Sequence, residues 1–310
     1  MIAVAARVAT IDLGTNTVRL LVADVEPDGR WRGVADDQRI TRLGEGQATG
    51  GPLGAAPMQR AAATVAEFAA RARALGADPV RIVGTSAVRE APNRAELLRL
   101  IREATGLPVE VVSGPEEGRL ALLGVRTGLP GLAEPFVLLD IGGGSTELVL
   151  ARPGAPPLAV SLRLGGVALA ERHLDAGAVD AARFAALRAA VDGALTAVPA
   201  EMAAGAASLV GTAGTITTLA ALDLGLPAYD AAAVHGHRLT RAAVDALRAR
   251  LCALTVDERA ALPCLPRGRA DVIIPGIAIA LAVMDRLLAP AMLVSDHGLR
   301  EGLLCELARA

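Results

Sequence analysis

The residues best suited to chemistry lie in one short segment, VLLDIGGGSTELVL, which spans Val137 to Leu150. An apolar run ends at Asp140, three glycines and Ser145 follow, and Glu147 begins the next apolar run. Glycines allow backbone N–H groups to surround phosphate oxygens, and carboxylates can hold Mg²⁺. The pattern predicts a strand, a phosphate-binding turn and a second strand that returns Glu147 to the face of Asp140. The alternative is a structural glycine hairpin with incidental acids.

An earlier segment repeats this plan. VATIDLGTNTVRLLV, from Val8 to Val22, also joins two apolar runs through an aspartate, a glycine and small polar residues, and its Asp12 precedes Asp140 by 128 residues. A second pair of motifs, in which an apolar run ends in Gly-Thr, is separated by 127 residues. Two motifs in the same order at nearly the same offset indicate an internal duplication. If the two halves face each other, Asp12 and Asp140 meet across one cleft.

The elements around these motifs predict two successive α/β units. Helices are expected from Pro57 to before Gly76 and at 93–105, 113–128, 178–204, 214–224, 240–253, 256–262, 271–289 and 298–309. Strands are expected on both sides of each Asp-x-Gly turn, before each Gly-Thr pair, and at 108–113 and 158–164. The boundary between the units is expected near 128–135.

Composition excludes several classes of function. The 310 residues carry a net charge of −2 and only 2% aromatic side chains, which disfavours a nucleic-acid-binding protein. The chain contains no lysine, so it has neither a P-loop lysine nor a Schiff-base lysine. Its 31 basic residues are all arginines, whose planar guanidinium groups suit phosphate recognition.

The cysteines and the longest apolar run predict a cytoplasmic protein without a membrane span. Cys252, Cys264 and Cys305 lack any Cys-x-x-Cys spacing and resemble reduced core thiols. The apolar run 272–284 is too short to cross a bilayer and predicts a helix buried on all sides.

A third group of polar residues, SGPEEGRL, begins at Ser113. Ser113 as the helix N-cap would place Glu116 at N3, where a capping box accounts for it. Glu117 is not needed by the cap, so it can either orient an attacking water or remain a solvated first-turn glutamate.

Together these segments resemble the exopolyphosphatase / guanosine pentaphosphate phosphohydrolase family. The resemblance extends along the whole chain and rests on eight ordered motifs: TIDLGTNTVRLLVAD, RLGEG, GTSAVREAPN, SGPEEGRL, LLDIGGGSTELVL, VGTAGTITTLAAL, GRADVIIPGIAI and SDHGLREGLL. It implies a duplicated actin-like ATPase (ribonuclease H-like) fold with two domains around a central cleft. The implied domains are 1–128 and 129–310, with the last helix, about 298–310, a candidate to pack back on the first.

The resemblance also implies a site and a reaction. Water would attack a terminal phosphoryl group, activated by Glu117 and assisted by Mg²⁺, with Mn²⁺ as an alternative ion. The metal carboxylates would be Asp12, Asp140 and Glu147. The phosphate-binding residues would be Thr15, Asn16, Arg19, Arg89, Gly143, Gly144 and Ser145.

Two departures from the family pattern are visible. GTNT stands where GSNS is more usual, a change that keeps the hydroxyl groups. The chain also stops where longer members continue into a helical HD-type domain, so a short-form member, expected as a homodimer, is predicted.

Four functions remain open at this stage. The first is release of orthophosphate from inorganic polyphosphate, and the second is hydrolysis of guanosine pentaphosphate. The third is a nucleotide- or polyphosphate-binding regulator without turnover. The fourth is a sugar kinase on the same fold, although its usual catalytic aspartate is not identifiable.

Overall fold

The structure is a computed structural model that describes residues 6–26, 30–47, 50–204 and 208–308. These residues form two compact units. The first contains the described residues up to Gly124 together with those from Gly298 onward, and the second is Val125–His297. Each unit has its own mixed sheet and its own apolar core.

The described residues form alternating strands and helices. The strands are β1 Ala6–Leu13, β2 Thr17–Val25, β3 Trp31–Ile40, β4 Val80–Gly84, β5 Val109–Val111, β6 Phe136–Ile141, β7 Thr146–Arg152, β8 Ala155–Leu162, β9 Ser208–Thr212, β10 Arg238–Thr240 and β11 Ala291–Val294. The helices are α1 Ala55–Ala74, α2 Ser86–Glu90, α3 Arg94–Thr105, α4 Gly114–Gly128, α5 Gly166–His173, α6 Ala181–Leu195, α7 Ala200–Ala204, α8 Ala213–Asp223, α9 Ala231–Val234, α10 Arg241–Cys252, α11 Val256–Ala260, α12 Arg267–Ala270, α13 Ile273–Arg286 and α14 Leu299–Leu307.

The first unit is built on a five-stranded sheet in the order β3-β2-β1-β4-β5. The pairs β1–β2 and β2–β3 are antiparallel, whereas β4 runs parallel to β1 and to β5. Helix α1 packs its buried face, which includes Phe68, into the core of this sheet. On another part of the same unit, Leu304 of α14 lies against Val8 and Leu21. Helix α14 therefore closes the first unit, although residues 309 and 310 of the predicted last helix lie outside the described residues.

The second unit repeats this topology. Its sheet has the order β8-β7-β6-β9-β11-β10, in which β6, β7 and β8 form an antiparallel series and β9 lies parallel to β6. The order of the first five strands is the order found in the first unit, with β10 added at the edge. The duplicated α/β architecture predicted from the two repeated motifs is therefore confirmed.

Helix α13 forms the centre of the second core. Every residue from Ile273 to Met284 is buried, as the uninterrupted apolar run predicts. Such a helix can be apolar on all sides because α5, α6, α8 and α10 pack around it. A search of the described residues finds no helix with both the length and the apolar character needed to span a bilayer.

The helix predicted at 178–204 is divided in the structure. Helix α6 begins at Ala181, where Asp180 caps it by accepting from the Arg183 N–H at 2.8 Å, and it ends at Leu195. Pro199 then precedes the separate short helix α7. Proline lacks an N–H donor and its ring clashes with the carbonyl four residues earlier, so the helix cannot continue through this position.

Three strands were not predicted from the sequence. Strand β3 is mostly polar because it lies at the edge of its sheet, where neither face is fully covered. Strands β10 and β11 have only 3 and 4 residues, too few to show a two-residue alternation.

Candidate active site

Each unit contains the predicted strand, turn, strand arrangement, and the two turns have matching hydrogen bonds. In the first unit the Gly14 N–H donates to the Thr17 carbonyl at 3.1 Å, and in the second the Gly142 N–H donates to the Ser145 carbonyl at 2.9 Å. A Cβ atom at Gly14 or Gly142 would lie about 3 Å from the carbonyl oxygen that its own N–H contacts, 2.9 and 3.0 Å respectively. The aspartate two residues before each of these glycines therefore stands at the same place in both hairpins.

Three polar residues of the turns are buried. Thr15 and Asn16 are buried in the first turn, and Ser145 is buried in the second. Phosphate contacts made here would come from backbone N–H groups, hydroxyl groups and an amide rather than from flexible surface side chains. Thr15, Asn16, Gly143, Gly144 and Ser145 all lie in these two turns, where the sequence places them; their contact with phosphate stays a prediction.

The partner opposite each aspartate differs between the two hairpins. Asp12 pairs in register with Arg19 across β1 and β2, whereas Asp140 pairs with Glu147 across β6 and β7. Directly opposed residues of an antiparallel pair share one face of the sheet. The first hairpin thus presents a carboxylate beside a guanidinium, and the second presents two carboxylates on one face.

Asp12 is an ionisable group in an unfavourable environment. Its Oδ1 atom is enclosed and makes no hydrogen bond to any described residue. Burial raises the pKa of Asp12 to about 6, while the charges of Arg19 and Arg300 act in the opposite direction and that of Glu301 adds to the rise. An enclosed carboxylate oxygen without a donor is an available ligand for a cation.

Asp140 and Glu147 are both buried at the corresponding face of the second unit. The Ser161 hydroxyl on β8 donates to Oε1 of Glu147 at 2.8 Å, which fixes the orientation of that carboxylate. Sequence reasoning missed Ser161, because only the register of β7 with β8, which pairs Glu147 with Ser161, brings the two residues together.

Glu117 lies in the first turn of α4 and is bound by Arg89. Nη1 of Arg89 donates to Oε2 of Glu117 at 2.9 Å and to the Val112 carbonyl at 3.0 Å. Both side chains are largely buried, with 12% of Glu117 and 16% of Arg89 exposed. Arg89 was predicted as a phosphate clamp, and this contact gives it a second use, since it holds the carboxylate predicted to activate water.

The neighbouring Glu116 forms only part of the capping box that was predicted for it. Its N–H donates to the Ser113 hydroxyl at 3.3 Å, which is one half of the expected capping box. The Glu116 carboxylate accepts from Nε and Nη2 of Arg119 at 2.8 and 2.7 Å rather than completing the box. This hydrogen bonding holds the pKa of Glu116 below its usual range.

Arg300 is a buried charge that sequence reasoning did not single out, although it lies in the motif SDHGLREGLL. Its guanidinium donates to Asp36 at 2.7 Å and to the Leu20 carbonyl at 3.2 Å. Its charge also opposes the rise in the pKa of Asp12, which lies in the same unit. The long separation along the chain gives no local signal of this contact.

A buried carboxylate oxygen of the first unit could serve as a ligand for a divalent metal ion. The described residues contain no group of three or more His, Cys, Asp or Glu side chains able to hold a metal. Mg²⁺ does not require such a group, because it is usually bound by one or two carboxylates together with water and substrate phosphates. The enclosed Oδ1 of Asp12 supplies one ligand of the required kind.

Comparison with known proteins identifies the family of this chain. The model of the Ppx/GppA phosphatase family matches residues 21–310. The protein named exopolyphosphatase 2 of Mycobacterium tuberculosis is 36% identical, with 97% of this chain and 98% of that protein covered.

Solved structures extend the likeness to the whole fold. An exopolyphosphatase from Cytophaga hutchinsonii superposes with a TM-score of 0.89 at 28% identity, covering 97% of each chain. The PPX-GPPA enzyme of Aquifex aeolicus superposes with a TM-score of 0.80 at 31% identity, covering 97% of this chain and 99% of that one. The duplicated actin-like ATPase fold predicted from the motifs is confirmed. The chain belongs to the Ppx/GppA phosphatase family.

Proposed function

We propose that this protein is an exopolyphosphatase, a hydrolase that removes terminal phosphate groups from inorganic polyphosphate as orthophosphate. The observation that carries the proposal is the buried pair of Glu117 and Arg89, which places an oriented carboxylate in the first unit. The relatives named exopolyphosphatase support the same reaction.

Glu117 has the properties expected of the group that positions water. Its carboxylate is tied to Arg89 through one oxygen, and this hydrogen bond restricts its rotation. Water held by Glu117 would attack the terminal phosphorus, its proton would pass to the carboxylate, and the P–O bond to the rest of the chain would break. The products are orthophosphate and a polyphosphate that is one unit shorter.

The two glycine turns would bind phosphate groups through their backbone N–H groups and hydroxyls. Arg19 would add positive charge beside the first turn, because it pairs with Asp12 across β1 and β2 and shares the same face of the sheet. In the first unit the proposed polyphosphate-binding residues are Glu117, Arg89, Arg19 and the turn residues Thr15 and Asn16. In the second unit they are the turn residues Gly143, Gly144 and Ser145.

The proposed metal is Mg²⁺, with Mn²⁺ as the alternative. Asp12 in the first unit, or the pair Asp140 and Glu147 in the second, would supply the carboxylate ligands, and water and substrate phosphate would complete the coordination. The ion would neutralise charge on the phosphate oxygens. A homodimer located in the cytoplasm completes the proposal, and the three free cysteines fit a reducing compartment.

The direct test is orthophosphate release from short and long polyphosphate and from guanosine pentaphosphate, measured in parallel with Mg²⁺ and with EDTA. We expect metal-dependent release of orthophosphate from polyphosphate. The remaining polyphosphate should shorten by one phosphate at a time. Folded protein that releases phosphate from neither substrate class would refute the enzyme and favour a binding regulator. Release from guanosine pentaphosphate alone would refute polyphosphate as the substrate.

A further inference from the structure

A third repeated motif accompanies the two hairpins. Arg42-Leu43-Gly44 and Arg163-Leu164-Gly165 have the same sequence. Each begins within two residues of the end of the third strand of its unit, β3 or β8. Leu43 and Leu164 are buried in the apolar cores of their respective units, and this packing fixes the position of the glycine that follows each of them.

In the second unit the two residues that follow this segment fix the backbone of the phosphate turn. The Gly166 N–H donates to the Gly142 carbonyl at 3.2 Å, and the Val167 N–H donates to the Gly143 carbonyl at 2.9 Å. In a trans peptide the N–H points opposite to the C=O of the same plane. The N–H groups of Gly143 and Gly144 therefore both point away from α5, as an anion-binding turn requires.

The corresponding segment of the first unit also donates hydrogen bonds to its turn, from different positions. The Gly44 N–H donates to the Thr15 carbonyl at 2.9 Å, and the N–H groups of Thr41 and Arg42 both donate to the Asn16 carbonyl at 3.0 Å. By the same geometry, the N–H groups of Asn16 and Thr17 point away from the segment. Two carbonyl groups are thus fixed in each turn.

Only glycine fits at the two positions closest to the turns. A Cβ atom at Gly165 would lie 2.3 Å from the Gly143 carbonyl oxygen and 2.4 Å from the Gly144 carbonyl carbon, both of them backbone atoms. A Cβ atom at Gly44 would lie 2.3 Å from Cγ2 of Thr15. Gly165 has φ −133° and ψ 157°, which any residue adopts, so close approach rather than conformation accounts for this glycine.

We propose that Gly44 and Gly165 are positioning residues, and that the segments 41–44 and 163–167, each of which contains an Arg-Leu-Gly sequence, are two braces that aim the N–H groups of each turn at phosphate. This inference rests on the proposed function for its substrate. The braces act through backbone hydrogen bonds inside each unit, and they do not themselves contact substrate.

The first experiment compares Gly165→Ala with Gly193→Ala. The Cβ of Gly165→Ala must displace the turn, whereas at Gly193 nothing lies within 4 Å of the new Cβ atom, so this variant controls for the substitution itself. We expect Gly165→Ala to lower kcat/KM for polyphosphate by about 100-fold, mainly through KM, because small displacements of binding groups have large effects.

The second experiment uses rescue to separate positioning from general damage. Gly44→Ala clashes with the Thr15 methyl group, which Thr15→Ser removes while keeping the hydroxyl. We expect Gly44→Ala to reduce kcat/KM at least tenfold in the wild type but by less than about threefold in the Thr15→Ser background. Equal losses in both backgrounds would refute the brace in the first unit.

A third readout is independent of catalysis. Backbone amide NMR signals of Gly143 and Gly144 should shift in Gly165→Ala and remain in place in Gly193→Ala. If the wild type releases no phosphate, the proposed function fails while these signals still decide the brace. If the wild type is active and the two signals respond equally to both substitutions, the brace in the second unit is wrong.

Discussion

In the absence of metal, Asp12→Asn should gain stability relative to the wild type as the pH rises. The pKa of Asp12 is raised from its ordinary value of 3.8 to about 6, chiefly because the carboxylate is buried. The folded state therefore binds the Asp12 proton more tightly than the unfolded state does. It follows that the wild type loses stability as the pH rises from about 4 through about 6.

The size of this effect follows from the difference between the two pKa values. At about 1.4 kcal/mol per pH unit, the interval from 3.8 to about 6 corresponds to about 3 kcal/mol when Asp12 is fully ionised. About 2 kcal/mol of this total should develop between pH 4.5 and pH 8. Any constant effect of the asparagine itself cancels when the two pH values are compared.

The assay is urea unfolding of the wild type and Asp12→Asn in EDTA at pH 4.5 and pH 8. The free energy of unfolding of the variant minus that of the wild type should rise by about 2 kcal/mol between these pH values. A difference that does not change with pH would refute the burial argument. Mg²⁺ at pH 8 should stabilise the wild type more than the variant, because the variant lacks the negative charge.

Asp24→Asn is a matched control with the opposite sign. Hydrogen bonds and charge from Arg7 and Arg32 hold the pKa of Asp24 below its usual range. The stabilisation is present above the unfolded-state pKa and is lost only as the pH falls through the lower folded-state value. Asp24→Asn should therefore be less stable than the wild type by a nearly constant amount between pH 4.5 and pH 8.

Three further predictions concern a contact, a metal and a helix pair. Arg89→Ala should lower kcat about 10- to 100-fold, because the hydrogen bond from Arg89 orients Glu117 and a bond to a charged group is worth about 1.5–3 kcal/mol. Unchanged kcat in steady-state assays would refute that role. Chelation with EDTA should abolish phosphate release and re-addition of Mg²⁺ should restore it; activity that persists in EDTA would exclude the metal. Gly124→Ala should reduce the free energy of unfolding by about 1–3 kcal/mol, since its Cβ would lie 1.9 Å from the Gly298 carbonyl oxygen. If urea unfolding shows the variant to be as stable as the wild type, this close helix contact is contradicted.

The sequence allowed prediction of features that depend on neighbouring residues. Both hairpins could be predicted because the aspartate, the glycines and the flanking apolar runs lie within about 15 residues. Helix α13 could be predicted because its apolar run is continuous and ends in charged residues. The duplication followed from the repeated spacing, and the strand order shared by the two sheets agrees with it.

Features that depend on distant residues could not be predicted in the same way. The contact between Arg89 and Glu117 joins residues 28 positions apart, and that between Arg300 and Asp36 joins residues 264 positions apart. The raised pKa of Asp12 depends on the packing around its carboxylate rather than on its neighbours in sequence. The Arg-Leu-Gly repeat is visible in the sequence, but its proposed role could be inferred only from the hydrogen bonds that the structure shows between these regions and the turns.

The measurement that tests the account most directly compares orthophosphate release from polyphosphate by the wild type, Glu117→Gln and Glu116→Gln. Both glutamates lie in the first turn of α4, but Glu116 is paired with Arg119 and has no proposed role in catalysis. Loss of a general base typically lowers the rate 10²- to 10⁴-fold, so we expect about this reduction in kcat for Glu117→Gln and near wild-type release for Glu116→Gln. Wild-type release by Glu117→Gln, in protein that still unfolds cooperatively, would contradict the assignment of Glu117 and with it the proposed mechanism.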